Sequence, residues 1–279
     1  MKIALYGLHR GSSADPEVRV RRALLAEEAG FEALWVGDHI ALPVEDSADP
    51  PDQPRLEAVV ALAHLAAVTS HIRLGIGVVV LPQRQPVLLA KQLASVDFLS
   101  GGRLTVGVGV GYVEPELRAL GVSPAERGAR TDEYLAVLRT LWDEPAASFD
   151  GRFVAFDGVI QRPRPVQRPH PPVIIGGWSP AAYRRAVSAG NGWYGWDMDV
   201  ERTAAELAEL RAATSRHGRP AELGELEITI TPPGRLDLDT ARRYADLGVH
   251  RLVVQPSSMD GTEIDDLIRT TGSTLIGRI

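Results

Sequence analysis

The stretch Ala23-Leu24-Leu25-Ala26-Glu27-Glu28-Ala29-Gly30-Phe31-Glu32-Ala33-Leu34-Trp35-Val36-Gly37-Asp38-His39 decides the fold. An amphipathic run ends in a glycine, the residue that takes a left-handed helix-closing position at no Cβ cost. A short apolar run without alternation follows, as a strand buried on both faces requires. The same order returns at residues 182–194, around Gly190, and at 241–255, around Gly248. Helix then strand, repeated, describes βα units and a parallel sheet.

Working outward, strands are expected at 2–6, 33–36, 73–80, 104–108, 173–175, 192–194, 227–231 and 251–255. Helices are expected at 16–29, 57–68, 86–99, 125–142, 181–189, 203–217 and 239–247, with a last one at 263–271. Eight strands alternating with helices over 279 residues predict an α/β fold, a (β/α)8 TIM barrel in one domain spanning residues 1–279. A doubly wound open sheet is the alternative, because pattern alone does not show closure.

Two features exceed a minimal barrel. The helix at 56–68 is apolar nearly all round, whereas an outer helix needs one apolar stripe, so something must cover its second face. A covering segment of the same chain or a subunit interface would serve; we expect a homodimer through this helix, with Lys91 and Gln92 near the edge. The insertion at about 143–172, before the fifth strand, is too long for a simple connection. Phe149-Asp150-Gly151-Arg152-Phe153 reads as a hairpin on an Asp-Gly turn, and the proline-rich 162–172 as a stiff strap that could contribute to a lid.

Composition narrows the chemistry. No cysteine means no disulfide, no thiolate metal site and no thiol nucleophile. A net charge of −6 argues against a partner held by phosphate contacts, so no nucleic acid is expected. The apolar runs fall short of the ~20 residues that span a bilayer, and a cytoplasmic protein is expected. The histidines form neither H-x-H nor H-E-x-x-H, so no metal is expected, and no G-x-S-x-G elbow is present.

In such barrels the site lies where the strands end. The residues there are Gly7-Leu8-His9, Gly37-Asp38-His39, Gly75-Ile76-Gly77-Val78, Gly107-Val108-Gly109-Val110-Gly111 and Gly176-Gly177-Trp178-Ser179, with Trp193, Tyr194 and Trp196 near the sixth strand. Glycines there admit close approach of a ligand to the backbone. Ser179 as cap and Pro180 in the first turn would open a helix whose N-terminus suits a phosphate. Asp38 and His39 offer hydrogen bonding and proton transfer near neutral pH. Together these residues describe a barrel for a large, flat, phosphorylated ligand without naming it.

Several stretches also resemble a known family. Leu34–His39, Arg73–Pro82 running into Gln85–Ala94, and Leu99–Gly111 are similar to signatures of the bacterial luciferase-like monooxygenases. Glu126–Arg130, Leu138–Trp142, Pro163–Pro172 and Gly176-Gly177 match in the same order. The combination looks most like the branch that uses the deazaflavin coenzyme F420, and FMN users share much of it. The resemblance implies a non-proline cis peptide at Gly77-Val78 that presses on one face of the cofactor ring. It implies Asp38 and His39 near the ring's polar edge, with His39 as the catalytic group that bonds the ring or exchanges a proton with substrate. Gly109 and Gly111 would flank the ring, and Gly176, Gly177, Trp178 and Ser179 would surround the phosphate. Asn191 departs from the family's Asp-Gly-Trp and bears on a strand start more than on chemistry. The expected activity is an F420-dependent oxidoreductase passing a hydride to or from a small organic substrate. An FMN-dependent monooxygenase and a non-catalytic cofactor-binding homologue are the alternatives, and loop 42–54 together with the insertion would set the substrate.

Overall fold

The computed structural model describes residues 1–44, 52–259 and 261–279, so the middle of loop 42–54 lies outside the described residues. In chain order the barrel elements are β1 (Lys2–Tyr6), α1 (Pro16–Glu28), β2 (Ala33–Val36), α2 (Ala58–Val68), β3 (Arg73–Val80), α3 (Pro86–Leu99) and β4 (Leu104–Gly109). After these come α4 (Glu114–Ala119), α5 (Arg127–Asp143) and the hairpin strands β5 (Ala147–Asp150) and β6 (Ala155–Val159). The chain ends with β7 (Val173–Gly176), α6 (Pro180–Ala189), β8 (Gly192–Trp196), α7 (Val200–His217), β9 (Glu227–Thr231), α8 (Leu238–Asp246), β10 (Arg251–Val254) and α9 (Glu263–Thr274).

All the strands but the hairpin pair close into one parallel barrel in the order β1-β10-β9-β8-β7-β4-β3-β2. The expected TIM barrel is what forms, and the open sheet is excluded. Gly30 and Gly248 close α1 and α8 with φ +86° and +87°, the left-handed positions read from the sequence. Gly190 does not: its φ is −98°. A Cβ there would stand 3.0 Å from the carbonyl oxygens of Ala186 and Gly192, so this glycine answers crowding and not handedness.

The foot of the barrel is closed by charge. Arg251 is 3% exposed; its guanidinium bonds both oxygens of Glu32 at 2.8 Å, Thr229 Oγ1 at 3.2 Å, and Glu227. Lys2 holds the other oxygen of Glu227 at 2.9 Å. These residues stand at or just before the starts of β10, β2, β9 and β1, so one buried cation joins strands from both sides of the ring closure.

The insertion flanks the barrel. Its hairpin exists, but Gly151–Val154 form a longer connection than the expected Asp-Gly turn, closed by Gly151 N–H to Val154 O at 2.9 Å. The reason is Glu133 on α5, whose carboxylate accepts the N–H groups of Arg152, Phe153 and Val154 at 2.7–2.9 Å. The strap that follows is pinned by the buried Asp97 of α3, which accepts Val166 N at 2.7 Å, Gln167 N at 3.1 Å and Gln167 Nε2 at 2.7 Å. Arg164 donates to the carbonyls of Trp142 and Asp143 at the end of α5. Acting as a lid would require the strap to leave these anchors; the structure makes it a brace between α3 and α5. Among the described residues, no helix is long and apolar enough to cross a membrane.

Candidate functional site

The C-terminal mouth is shaped by β3. Its register against β4 shifts between Ile76 and Val79, and the Gly77-Val78 peptide is cis, as expected. Gly75 and Gly77 are small because the Trp35 indole lies across the strand: a Cβ would come within 2.6 and 2.7 Å of it. The bulge turns Val78 toward the neighbouring strand ends. A Cβ on Gly109 or Gly176 would fall 2.5 or 2.8 Å from the Val78 methyls, and one on Gly111 2.6 Å from Val80 Cγ1.

The reading of these glycines therefore needs correction. Their missing side chains make room for the valines of β3, and it is the valine they seat that can meet a ligand. Gly77 and Val78 are half-buried beside fully buried neighbours on either side. Four of the expected residues, Gly77, Val78, Gly109 and Gly176, thus meet at the half-buried Val78, an apolar shelf, while Gly111 packs at Val80 and Leu117. Below it the barrel is aromatic. Trp35 meets Tyr194 at 5.2 Å and Tyr6 meets Trp196 at 4.9 Å between ring centres, and Tyr194 Oη bonds Thr231 Oγ1 at 2.7 Å.

Asp38 is fully engaged. Its buried carboxylate accepts Val80 N–H at 3.0 Å and the guanidinium of Arg84, and Arg84 also bonds Glu57 at 2.7 Å. Burial pushes the Asp38 carboxyl up, against the pull of Arg84. For Arg84, the two carboxylates outweigh burial and raise its pKa further. Asp38 thus ties the end of β2 to the β3 bulge, which places the next residue. His39 Nδ1 lies 3.0 Å from Glu116 Oε2, and Glu116 Oε1 accepts the N–H groups of Ile40 and Ala41. Burial alone would raise the Glu116 carboxyl; the bonds from His39, Ala41 and Ile40 outweigh it and hold it below the usual range. Tyr112 meets the His39 ring edge-on at 5.9 Å.

Glu116 was not anticipated. It sits on α4, six residues long and too short for a periodic signal; only Pro115 in its first turn hints at a helix start. At the other side of the shelf, Gly177 turns with φ +112°. Ser179 Oγ then caps α6 by accepting Ala182 N–H at 3.2 Å, with Pro180 in the first turn as expected. The helix N-terminus therefore adjoins the shelf through Gly176. An apolar shelf, a capped helix N-terminus and a histidine backed by a carboxylate fit a planar redox ring with a phosphate tail. Among the described residues no cluster suits a metal.

Residues 4–255 match the sequence profile of the luciferase-like monooxygenases. The chain belongs to that family. The uncharacterized protein Rv0953c of Mycobacterium tuberculosis is 34% identical over 258 residues, covering 88% of this chain and 89% of that one. The FMNH(2)-dependent dimethylsulfone monooxygenase of Pseudomonas putida is 30% identical over 220 residues, 78% of this chain and 59% of that one. Among solved structures, an F420-dependent secondary alcohol dehydrogenase in complex with an F420-acetone adduct superposes with a TM-score of 0.80 over 98% of both chains at 14% identity, a likeness of fold.

Within this luciferase-like barrel, three residues take roles of their own. His9 is fully buried and its Nε2 accepts Gly37 N–H at 3.2 Å. Burial first, then the charges of Arg10, Arg55 and His39, push its pKa well down; it is a neutral peg for the β2 loop. Asn191 bonds Val173 N through Oδ1 at 2.9 Å and Val173 O through its own N–H, so it sets the start of β7 as expected. Trp178 is half exposed with the Arg202 guanidinium 4.7 Å from its ring centre, which places it at the outer rim beside α7.

Proposed function

We propose that the chain is a cytoplasmic F420-dependent oxidoreductase acting on a small organic substrate. The observation that carries this reading is His39, held through Nδ1 by the buried Glu116 and next in the chain to Asp38, which bonds Val80 at the end of β3. Bound at the mouth, a deazaflavin supplies a hydride donor or acceptor. The chain's own part is to seat the ring on Val78 between Gly109, Gly111 and Gly176, to hold the phosphate at Gly176, Gly177, Trp178 and Ser179, and to move a proton at His39. Hydride exchange with an alcohol or carbonyl needs that proton, which is why the histidine favours it. The 30% identity to an FMNH(2)-dependent monooxygenase favours FMN as the second reading.

Titrating purified protein with each cofactor, followed by fluorescence, separates the two. Binding of F420 at about micromolar Kd with FMN at least about tenfold weaker upholds the proposal; the reverse order hands the site to FMN.

We further propose that the chain works as a homodimer through α2 and the flank beside it. Val60 on α2, Leu88, Phe98 and Leu99 on α3, and Ile160 and Val166 of the insertion are all exposed. Contacts between the insertion and α3, Gln161 to Val87 O and Val166 to Asp97, bring the exposed residues of those two segments to one side, and α3 also packs on α2. Such an apolar band suits a second copy of the chain.

A further inference from the structure

We propose that Glu116 fixes the tautomer of His39, leaving Nε2 as the atom through which a proton passes to or from a substrate oxygen. The proposal rests on the reading of the mouth as a hydride-transfer site and adds a residue to it. Glu116 is 2% exposed, and its Oε1 is taken by two backbone donors, Ile40 N–H and Ala41 N–H. An ionised carboxylate only accepts, so at 3.0 Å from Oε2 the His39 Nδ1 must carry a hydrogen. The neutral ring then has its lone pair on Nε2. Among the described residues, Tyr112 in the loop after β4 meets the His39 ring in a T-shaped arrangement, and His9, in the loop after β1, is kept neutral by burial.

The chemistry balances at that atom. In the oxidising direction a bound oxidised deazaflavin would supply the acceptor for the hydride, with its electron pair, that leaves the substrate carbon. The hydroxyl proton goes to His39 Nε2, and the carbon–oxygen double bond forms. The reducing direction returns both. Glu116 touches neither partner, so it is a positioning residue, and a ring turned to the other tautomer would sit in place with the wrong atom protonated.

The substitution Glu116→Gln tests this. Its amide oxygen must stay with Ile40 and Ala41, which are donors, so its NH2 group turns to His39 Nδ1 and forces that nitrogen to accept. Nitrogen-15 NMR of the cofactor-free protein, recorded at alkaline pH until the ring shifts no longer change, reads the tautomer of the neutral ring. We expect the Nδ1–H form in the unsubstituted protein and the Nε2–H form in Glu116→Gln. With F420 and substrate, kcat should fall about 10²- to 10⁴-fold while KM and Tm hold, as when a carboxylate behind a catalytic histidine becomes an amide. An Nε2–H ring in the unsubstituted protein overturns the proposal by itself, even if the variant does not fold. So does a variant that keeps Nδ1–H or keeps its turnover. The tautomer needs no cofactor: a flipped ring in a protein that binds neither F420 nor FMN upholds Glu116 and ends the functional reading. Activity lost in His39→Ala but kept in Glu116→Gln does the opposite.

Discussion

Gly37 shows how much a single position carries. A Cβ there would stand 2.1 Å from the Tyr6 hydroxyl and 3.4 Å from His9 Nε2. Gly37→Ala must push Tyr6 off its place against Trp196, so it should cost about 1–3 kcal/mol in thermal unfolding; an unchanged Tm would mean that the ring has free space. His39 is the opposite case, since His39→Ala removes one bond to a carboxylate that keeps two backbone donors. The fold should survive, and turnover should drop about 10²-fold or more; a full rate would make His39 a structural residue. Sequence points to His39 because an imidazole after a buried strand can hydrogen-bond and transfer a proton near neutral pH, and because the family resemblance implies that role. It could not point to Glu116, one acid among several in a polar stretch, because only the three-dimensional return of α4 brings it to the histidine.

At the scale of elements, the strands were the legible part. β1, β2, β3 and β9 begin and end where the sequence places them; β2 is an unbroken apolar run, as a parallel strand buried on both faces allows, whereas β9 alternates Ile with Thr. Helix α4 was not legible, being little more than one turn. Nor was the grip on the insertion, which depends on single carboxylates. Asp97→Ala leaves Val166 N, Gln167 N and Gln167 Nε2 without their acceptor, an expected loss of about 2–4 kcal/mol by chemical denaturation with faster proteolysis in the strap. Equal stability would mean that water replaces the carboxylate. For α2 the apolar composition was plain, but which residue faces outward was not. Leu62 is fully buried and Val60 is 61% exposed, so only Val60→Asp tests the dimer. Light scattering should show monomer with the unfolding midpoint preserved; an unchanged mass would remove α2 from the interface.

Over the whole molecule, the barrel separates a charged foot from a mouth in which the Val78 shelf stands beside the Asp38–Arg84 and His39–Glu116 pairs. Glu227 at the foot is raised by burial but pulled lower by Arg251 and Lys2, so its folded pKa lies below the ordinary value. A depressed carboxylate contributes stability that is present above its unfolded pKa, about 4.3, and lost as pH falls through the folded one. Arg251→Met should therefore flatten the fall of stability with acid below about pH 4.3, as followed by denaturant midpoints; an equal slope would place the acid sensitivity elsewhere. None of this pairing was visible in the sequence, because Glu32, Glu227 and Arg251 are far apart in the chain and only closure of the ring joins them.

The proposed function rests on a ring lying on Val78 at the mouth, with its phosphate at the start of α6. A crystal structure of the protein soaked with F420 tests that most directly. The deazaflavin face should lie against Val78, between Gly109 and Gly176, with the phosphate on the backbone of residues 176–179. Cofactor bound anywhere else on the molecule, or a ring kept off Val78 by the Tyr6, Trp196 and Tyr194 side chains, would contradict it.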